Sequence, residues 1–370
     1  MDIFNHHMMA LARDSRGWTQ SDLATLMSVR QGTISKYESG VNQPPSEFIS
    51  ELSQVSKYRV GLFYETGRPY GMPPFHYRKR KKLNQKSLNK IIAEINIRRI
   101  HISKLLRSHD HIARAPIPEI DRDEYVAGSN RPFSIEGIAR QAREYWMLPS
   151  GPIENVVNLI EEMCGIVVPC DFGTDLIDAV SQRIDGMPIL FFVNMNAPAD
   201  RIRHTLCHEL GHMLLHTATI LDDDVMEEEA DNFAGAFLLP AKEVRPQLRT
   251  FDMRQLRNMK RYWKVSMGSI AVRADRLNLI TPYQRKKFWM DMGRLGYRKR
   301  EPDEPQKEVP EFLKAMIDFH LRVLDYSKED LSKLLHLQVD EFDEWYGVHL
   351  LKNVAADPLK ERGSFLRVIK

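Results

Sequence analysis

Over most of the chain, apolar residues recur at the three-to-four-residue spacing of an amphipathic helix, and short polar or glycine-bearing breaks divide the pattern into segments. The clearest helical stretches are Leu88–Leu106, Asp200–His216 and Met226–Leu239. One apolar run, Pro188–Val193, is too short for a helix and is bounded by Gly186 on one side and by Asn194 and Asn196 on the other, which predicts a strand. Near the N-terminus the segments are shorter. Thr19 can cap a helix that buries Leu23, Ala24 and either Leu26 or Met27, and Ser28 and Val29 then make a tight turn. A second helix starts at Arg30 or Gln31, buries Ile34, runs to Tyr37 or Glu38 and stops at Gly40. A similar rhythm returns over residues 326–347, where Ser327 and Asp330 form a variant of the capping box.

The chain has 370 residues, too many for one ordinary domain at roughly 150 residues each. Breaks and charge divide it into a helical stretch over 1–70, a basic stretch over 71–114, a mixed helix-and-strand stretch over 115–302 and a helical stretch over 303–370. Pro302–Pro310 is broken by Pro305 and is otherwise almost all charged or polar, so it reads as a linker. No repeat of fixed period and no low-complexity tract is evident. The formal charge of +3 identifies no partner, but from Arg78 to Arg107 eleven Lys or Arg stand against one acid, Glu94. Such a run can line nucleic acid or be a solvated helix and linker. Three cysteines cannot make a disulfide framework for a chain of this size, which points to a reducing, cytoplasmic setting. No apolar stretch approaches the ~18 residues of a membrane span, and Asp2, Asn5, His6 and His7 interrupt any signal-peptide core. Membrane insertion and secretion are not expected.

Residues 204–216 read HTLCHELGHMLLH. His208 and His212, four apart, share one helix face and can reach one metal ion, zinc above all, while Glu209 beside the first can take a proton from water there. Gly211 sits mid-helix, where it costs about 1 kcal/mol against alanine, and a local penalty inside a motif signals close backbone approach. The apolar strand before this helix fits the zincin arrangement, in which an edge strand beside the metal pairs with a peptide substrate. A metzincin would continue with Gly at 215 and His at 218, but this chain has Leu215 and Ala218. The third ligand must come from elsewhere, and residues 227–239, EEEADNFAGAFLL, offer it. Glu227 can bind the metal while Asp231, one turn on, accepts the free N–H of a ligand histidine; Glu229 is the rival ligand. His204 and His216 continue the four-residue spacing, but each step drifts ~40° around the helix, so they read as polar surface. Cys207 reads as packed, not metal-bound.

The two short N-terminal helices and their turn fit a helix-turn-helix. Gln20 and Gln31 stand at the two helix starts, and Gln31, Gly32, Thr33 and Lys36 face outward from the second helix. Gln and Thr can reach base edges, and Lys can reach phosphate or guanine. Asn42 and Gln43 follow in a loop suited to DNA-backbone contacts. The last block differs: its second helix carries Asp340, Glu341, Asp343 and Glu344, which would repel phosphate, so it reads as a packing or partner module.

Residues 17–45 resemble the XRE-type (Cro/CI-like) repressor domain, and residues 200–240 resemble the ImmA/IrrE metallopeptidases, whose pattern is HELGH followed by E-x-x-A-[ND]-x-F-A. Here the second part reads Glu227, Ala230, Asp231, Phe233 and Ala234, which favours Glu227 as ligand. Residues 263–281 and 296–302 are also similar to fused XRE–ImmA/IrrE proteins, and the resemblance covers roughly residues 10–300. It implies a zinc-dependent endopeptidase that cleaves a repressor or other regulatory protein of a mobile element or stress response. Taken together, an α+β multidomain chain is expected: an all-α helix-turn-helix domain, a zincin-like domain with a small sheet, and a helical C-terminal region. The expected partners are double-stranded DNA and a protein substrate, with a homodimer following from paired half-sites. The competing reading is a DNA-binding, antitoxin-like regulator whose metal site is structural or sensory. A general base such as Glu209 has no purpose in a structural site, which also prefers four protein ligands.

Overall fold

The computed structural model describes residues 3–71, 83–108, 134–163, 165–216 and 221–347. It is an α+β chain that divides into two compact units. One holds the described residues of Met1–Met72, Lys79–Ile112 and Glu311–Lys370, and the other those of Ala113–Pro310. This differs from the division at 70, 114 and 302, because what joins segments is which apolar faces meet and not where the charge changes.

The first unit opens with α1 (His6–Ser15), α2 (Gln20–Leu26), α3 (Gln31–Glu38) and α4 (Ser46–Ser56). Thr19 and Asp22 cap α2 reciprocally, and Ser28, at φ 51°, turns the chain towards α3. Leu23, Ala24, Met27 and Ile34 are buried between these helices, while Leu26 is exposed. Helix α5 (Gln85–Leu106) carries much of the basic run, yet Leu88, Ile91, Ile95, Ile97, Ile102 and Leu105 are buried and it packs on α1. It is a core helix: Lys86 and Lys90 are exposed, while the apolar residues and Lys104, which pairs with Glu65, are buried. Arg78–Lys82 lie outside the described residues.

The second unit contains α6 (Ile135–Tyr145) and α7 (Val156–Met163), then a sheet of β1 (Gly165–Cys170), β2 (Ala179–Gln182) and β3 (Ile189–Asn194). The strand order is β1-β3-β2, with β3 parallel to β1 and antiparallel to β2. The apolar strand identified in the sequence is therefore central, flanked on both sides, and all six of its residues are buried. The edge strand beside the helix that carries His208 and His212 is β2. It was illegible in the sequence because Ala179–Gln182 is only four residues long. Helices α8 (Ala199–Leu215), α9 (Asp223–Leu238), α10 (Ala241–Val244), α11 (Met253–Trp263), α12 (Met267–Arg276) and α13 (Pro282–Arg294) complete the unit.

The charged 301–308 segment is not a free linker. Glu301 accepts from the N–H groups of Met267 and Gly268 at 2.7 and 3.0 Å, Glu304 from Ala199 at 3.1 Å, and Glu308 from Val156 and Val157 at 2.8 and 3.0 Å. Each carboxylate thus meets the unsatisfied donors at the start of α12, α8 and α7 in turn. Glu308 also pairs with buried Arg203 of α8.

The first unit is completed by α14 (Phe312–Arg322), α15 (Lys328–Leu334) and α16 (Val339–Phe342), the last continuing as a π-turn over Asp343–Gly347. Residues 325–347 repeat the backbone design of 17–39. Asp325 and Gly17 are left-handed at φ 58° and 67°, Ser327–Asp330 and Thr19–Asp22 form capping boxes, and His336 and Ser28 make the left-handed turn at 57° and 51°. Three acids of this second helix-turn-helix pair with bases of the N-terminal stretch: Glu341 with Arg16 at 2.9 Å, Asp340 with Lys57 at 3.2 Å, and Glu329 with Arg59 at 2.7 Å. Among the described residues no helix is long and apolar enough to cross a membrane.

Candidate metal centre

Helices α8 and α9 build the site. His208 lies opposite Asp231 and His212 opposite Glu227, so the two helices run antiparallel. Their close approach depends on Gly211, where a Cβ would sit 3.0 Å from the Phe233 ring and 3.2 Å from the Ala230 Cα. This is the backbone approach that the mid-helix glycine announced.

One donor atom each from His208, His212 and Glu227 lies within 4.8 Å of the others. The two Nε2 atoms are 3.0 Å apart, and Glu227 Oε1 is 3.4 Å from that of His212 and 3.8 Å from that of His208. Asp231 accepts from His208 Nδ1 at 2.8 Å, which points Nε2 of that ring towards Glu227. Burial opposes a charge on His208, but hydrogen bonds with Asp231 and Glu227, helped by the Glu209 carboxylate, carry its pKa up to about 9. Burial also opposes the Asp231 charge, and the His208 bond outweighs it, holding the carboxyl below its usual range. Two imidazoles and one carboxylate converging on one point form a donor set that can hold a metal cation.

Glu209 is fully buried beside these residues. Its Oε2 accepts two bonds from Ser181 of β2, from the hydroxyl at 2.6 Å and from the backbone N–H at 3.1 Å. Ser181 carries no sequence signal, since it stands far upstream and reaches α8 only through the sheet. His216 departs from its expectation as polar surface. It is buried, its Nδ1 is 2.9 Å from Nδ1 of His212, and its Nε2 is 3.1 Å from Glu229 Oε2. Glu229, the rival ligand, is therefore engaged with His216 and lies outside the group of three. His204 belongs to no such contact set, and burial pushes its pKa down to about 4. Cys207 is buried away from the centre, and burial pushes its thiol up to about 12.

In the first unit, Gln31, Gly32, Lys36 and Asn42 are exposed and Thr33 is half-buried. Gln31 donates to Gln20 at 2.7 Å, and Gln20 donates to Glu38 at 2.9 Å, which Arg13 also grips. The two glutamines are thereby fixed side by side at the starts of α2 and α3.

Residues 9–58 match the helix-turn-helix family model. Residues 164–275 match the peptidase-family model described as the IrrE N-terminal-like domain, a span that takes in the whole sheet, Ser181, His208, His212, Glu227 and Asp231. No curated protein matches the chain. The chain thus joins, in one polypeptide, a region similar to helix-turn-helix DNA-binding regulators and a region similar to a metallopeptidase family.

Proposed function

We propose that the chain is a DNA-binding regulator fused to a zinc-dependent endopeptidase that hydrolyses a peptide bond in a regulatory protein. His208, His212 and Glu227 would hold the ion, with Asp231 orienting His208. Bound there, zinc supplies Lewis acidity that polarises the scissile carbonyl and acidifies water. Glu209 takes the proton from the attacking water and returns it to the leaving nitrogen. The outer side of β2 offers an extended substrate a strand to pair with, next to Glu209. The observation that carries the reading is Glu209 itself: a buried carboxylate one residue from a ligand histidine, held by two donors from an edge strand. A structural or sensory site has no need of such a group. In the first unit, Gln31 and Thr33 read bases, while Gln20, Gly32, Lys36 and Asn42 meet the DNA backbone or bring it close.

Metal analysis with a peptide-library cleavage assay tests this. The purified chain is expected to hold about one zinc per chain, as a single three-ligand site implies. His208→Ala and His212→Ala should lose the metal, and Glu209→Gln should keep it while losing cleavage. Zinc retained in full by both histidine variants would refute the ligand set, and cleavage unchanged in Glu209→Gln would refute the general base.

A further inference from the structure

The geometry points to Glu229 and His216 as a positioning pair that fixes the ring of His212 for metal binding through a relay of hydrogen bonds. This rests on the metal centre proposed above and assigns roles to two residues outside it.

The argument is one of donors and acceptors. An ionised carboxylate can only accept, so the 3.1 Å contact between Glu229 Oε2 and His216 Nε2 requires the proton on that nitrogen. A neutral His216 then has its lone pair on Nδ1. That atom lies 2.9 Å from Nδ1 of His212, and two lone pairs do not share such a distance. The proton between them therefore belongs to His212 Nδ1. A neutral His212 with that proton has its lone pair on Nε2, the nitrogen 3.0 Å from His208 Nε2 and 3.4 Å from Glu227 Oε1. With neutral rings and an ionised Glu229, this assignment satisfies the His212–His216 and His216–Glu229 contacts, and it leaves the lone pairs of His208 Nε2 and His212 Nε2, 3.0 Å apart, facing the position an ion would take.

The pair does for His212 what Asp231 does for His208, but across a longer gap. Asp231 touches its histidine directly, whereas Glu229 meets His216, whose ring lies against His212. His216 is one helical turn beyond His212, which places the two rings with centroids 5.1 Å apart. His216 and Glu229 are both largely shielded from water, with side chains 0% and 13% exposed, so the relay acts in a low-dielectric setting where the carboxylate makes His212 a stronger donor to the ion.

The test reads zinc affinity by competition with a chromophoric chelator, together with nitrogen NMR of the histidine rings in the zinc-loaded full chain. His216→Ala and Glu229→Gln are expected to weaken zinc binding by ~10–100-fold, the usual effect of removing a group that holds a metal ligand in place. Glu229→Asp, which retains the charge, should recover part of the loss. In the parent, the NMR should show His212 and His208 protonated at Nδ1 and His216 at Nε2. The partly exposed Glu229 position serves if His216→Ala does not fold. Affinity within twofold of the parent in a folded Glu229→Gln protein, or His216 protonated at Nδ1, would overturn the relay while leaving the ligand set standing. A parent chain that binds no zinc would remove both.

Discussion

Ser181 holds Glu209 with both of its donors, the hydroxyl at 2.6 Å and the backbone N–H at 3.1 Å, on the same carboxylate oxygen. The proposed general base is thus clamped by the strand that the substrate is proposed to join. Ser181→Ala removes one donor and leaves the backbone one. A hydrogen bond to a charged group contributes about 1.5–3 kcal/mol, so kcat should fall by roughly 10–100-fold while zinc content stays at the parent level. Ser181→Thr should restore much of the rate. Equal kcat in the alanine variant would show that the clamp is irrelevant to catalysis.

Glu227→Ala should weaken zinc binding more than any other single change on α9, since it deletes a ligand and not a support. Chelator competition across Glu227→Ala, Glu228→Ala and Asp231→Ala ranks them directly. A Glu228 variant weaker than the Glu227 one would reassign the carboxylate ligand.

DNA recognition should survive removal of zinc. Gln31→Ala and Thr33→Ala should relax sequence preference, each base contact being worth about 1–3 kcal/mol, whereas Lys36→Ala should lower affinity evenly and flatten the salt dependence. Selection from random duplexes with the full chain reads both effects. Sequence preference identical in the parent and the Gln31 and Thr33 variants would place recognition elsewhere.

How far the sequence revealed this arrangement depended on distance along the chain. The spacing of His208, Glu209 and His212 was legible because it lies within one helical turn, and Gly211 was legible because it violates a local preference. Helix α5 was obscured by its charge: its lysines and arginines belong to the basic run that reads as a solvated or nucleic-acid-lining segment, while its isoleucines and leucines do the packing. Ser181 was invisible because only strand pairing brings it to Glu209. Glu229 looked like an alternative ligand and His216 like polar surface, since one-dimensional spacing cannot distinguish a ligand, or a surface residue, from a residue packed behind the ligands.

The 301–308 segment should be essential to the second unit. Glu308 pairs with Arg203, whose side chain is 1% exposed, and removing one partner of such a pair typically costs about 3–5 kcal/mol because a buried charge is left uncompensated. Glu308→Ala should therefore lower the urea midpoint of this unit sharply. An unchanged midpoint would return the segment to the status of a free linker.

The first unit should lose stability in acid through Glu65. Its hydrogen bond with His336 outweighs burial, and with further help from Lys104 its pKa falls from 4.5 to about 2. Because the folded-state value lies below the ordinary one, the unfolded chain binds more protons across this window, so stability falls as pH falls. The contribution is complete above the ordinary value and is lost on approaching the folded-state one. Glu65→Gln should be less stable than the parent at neutral pH, and the gap should narrow between about pH 4.5 and pH 2. A gap independent of pH would contradict the assignment.

The central claim is tested most directly by comparing new protein N-termini in cells that express the parent chain or its Glu209→Gln variant at equal levels, with zinc measured in both purified proteins. The account predicts about one zinc per chain in each, together with at least one new N-terminus, within a regulatory protein, that is present with the parent and absent with the variant. Identical sets of N-termini from two equally metal-loaded proteins would contradict it.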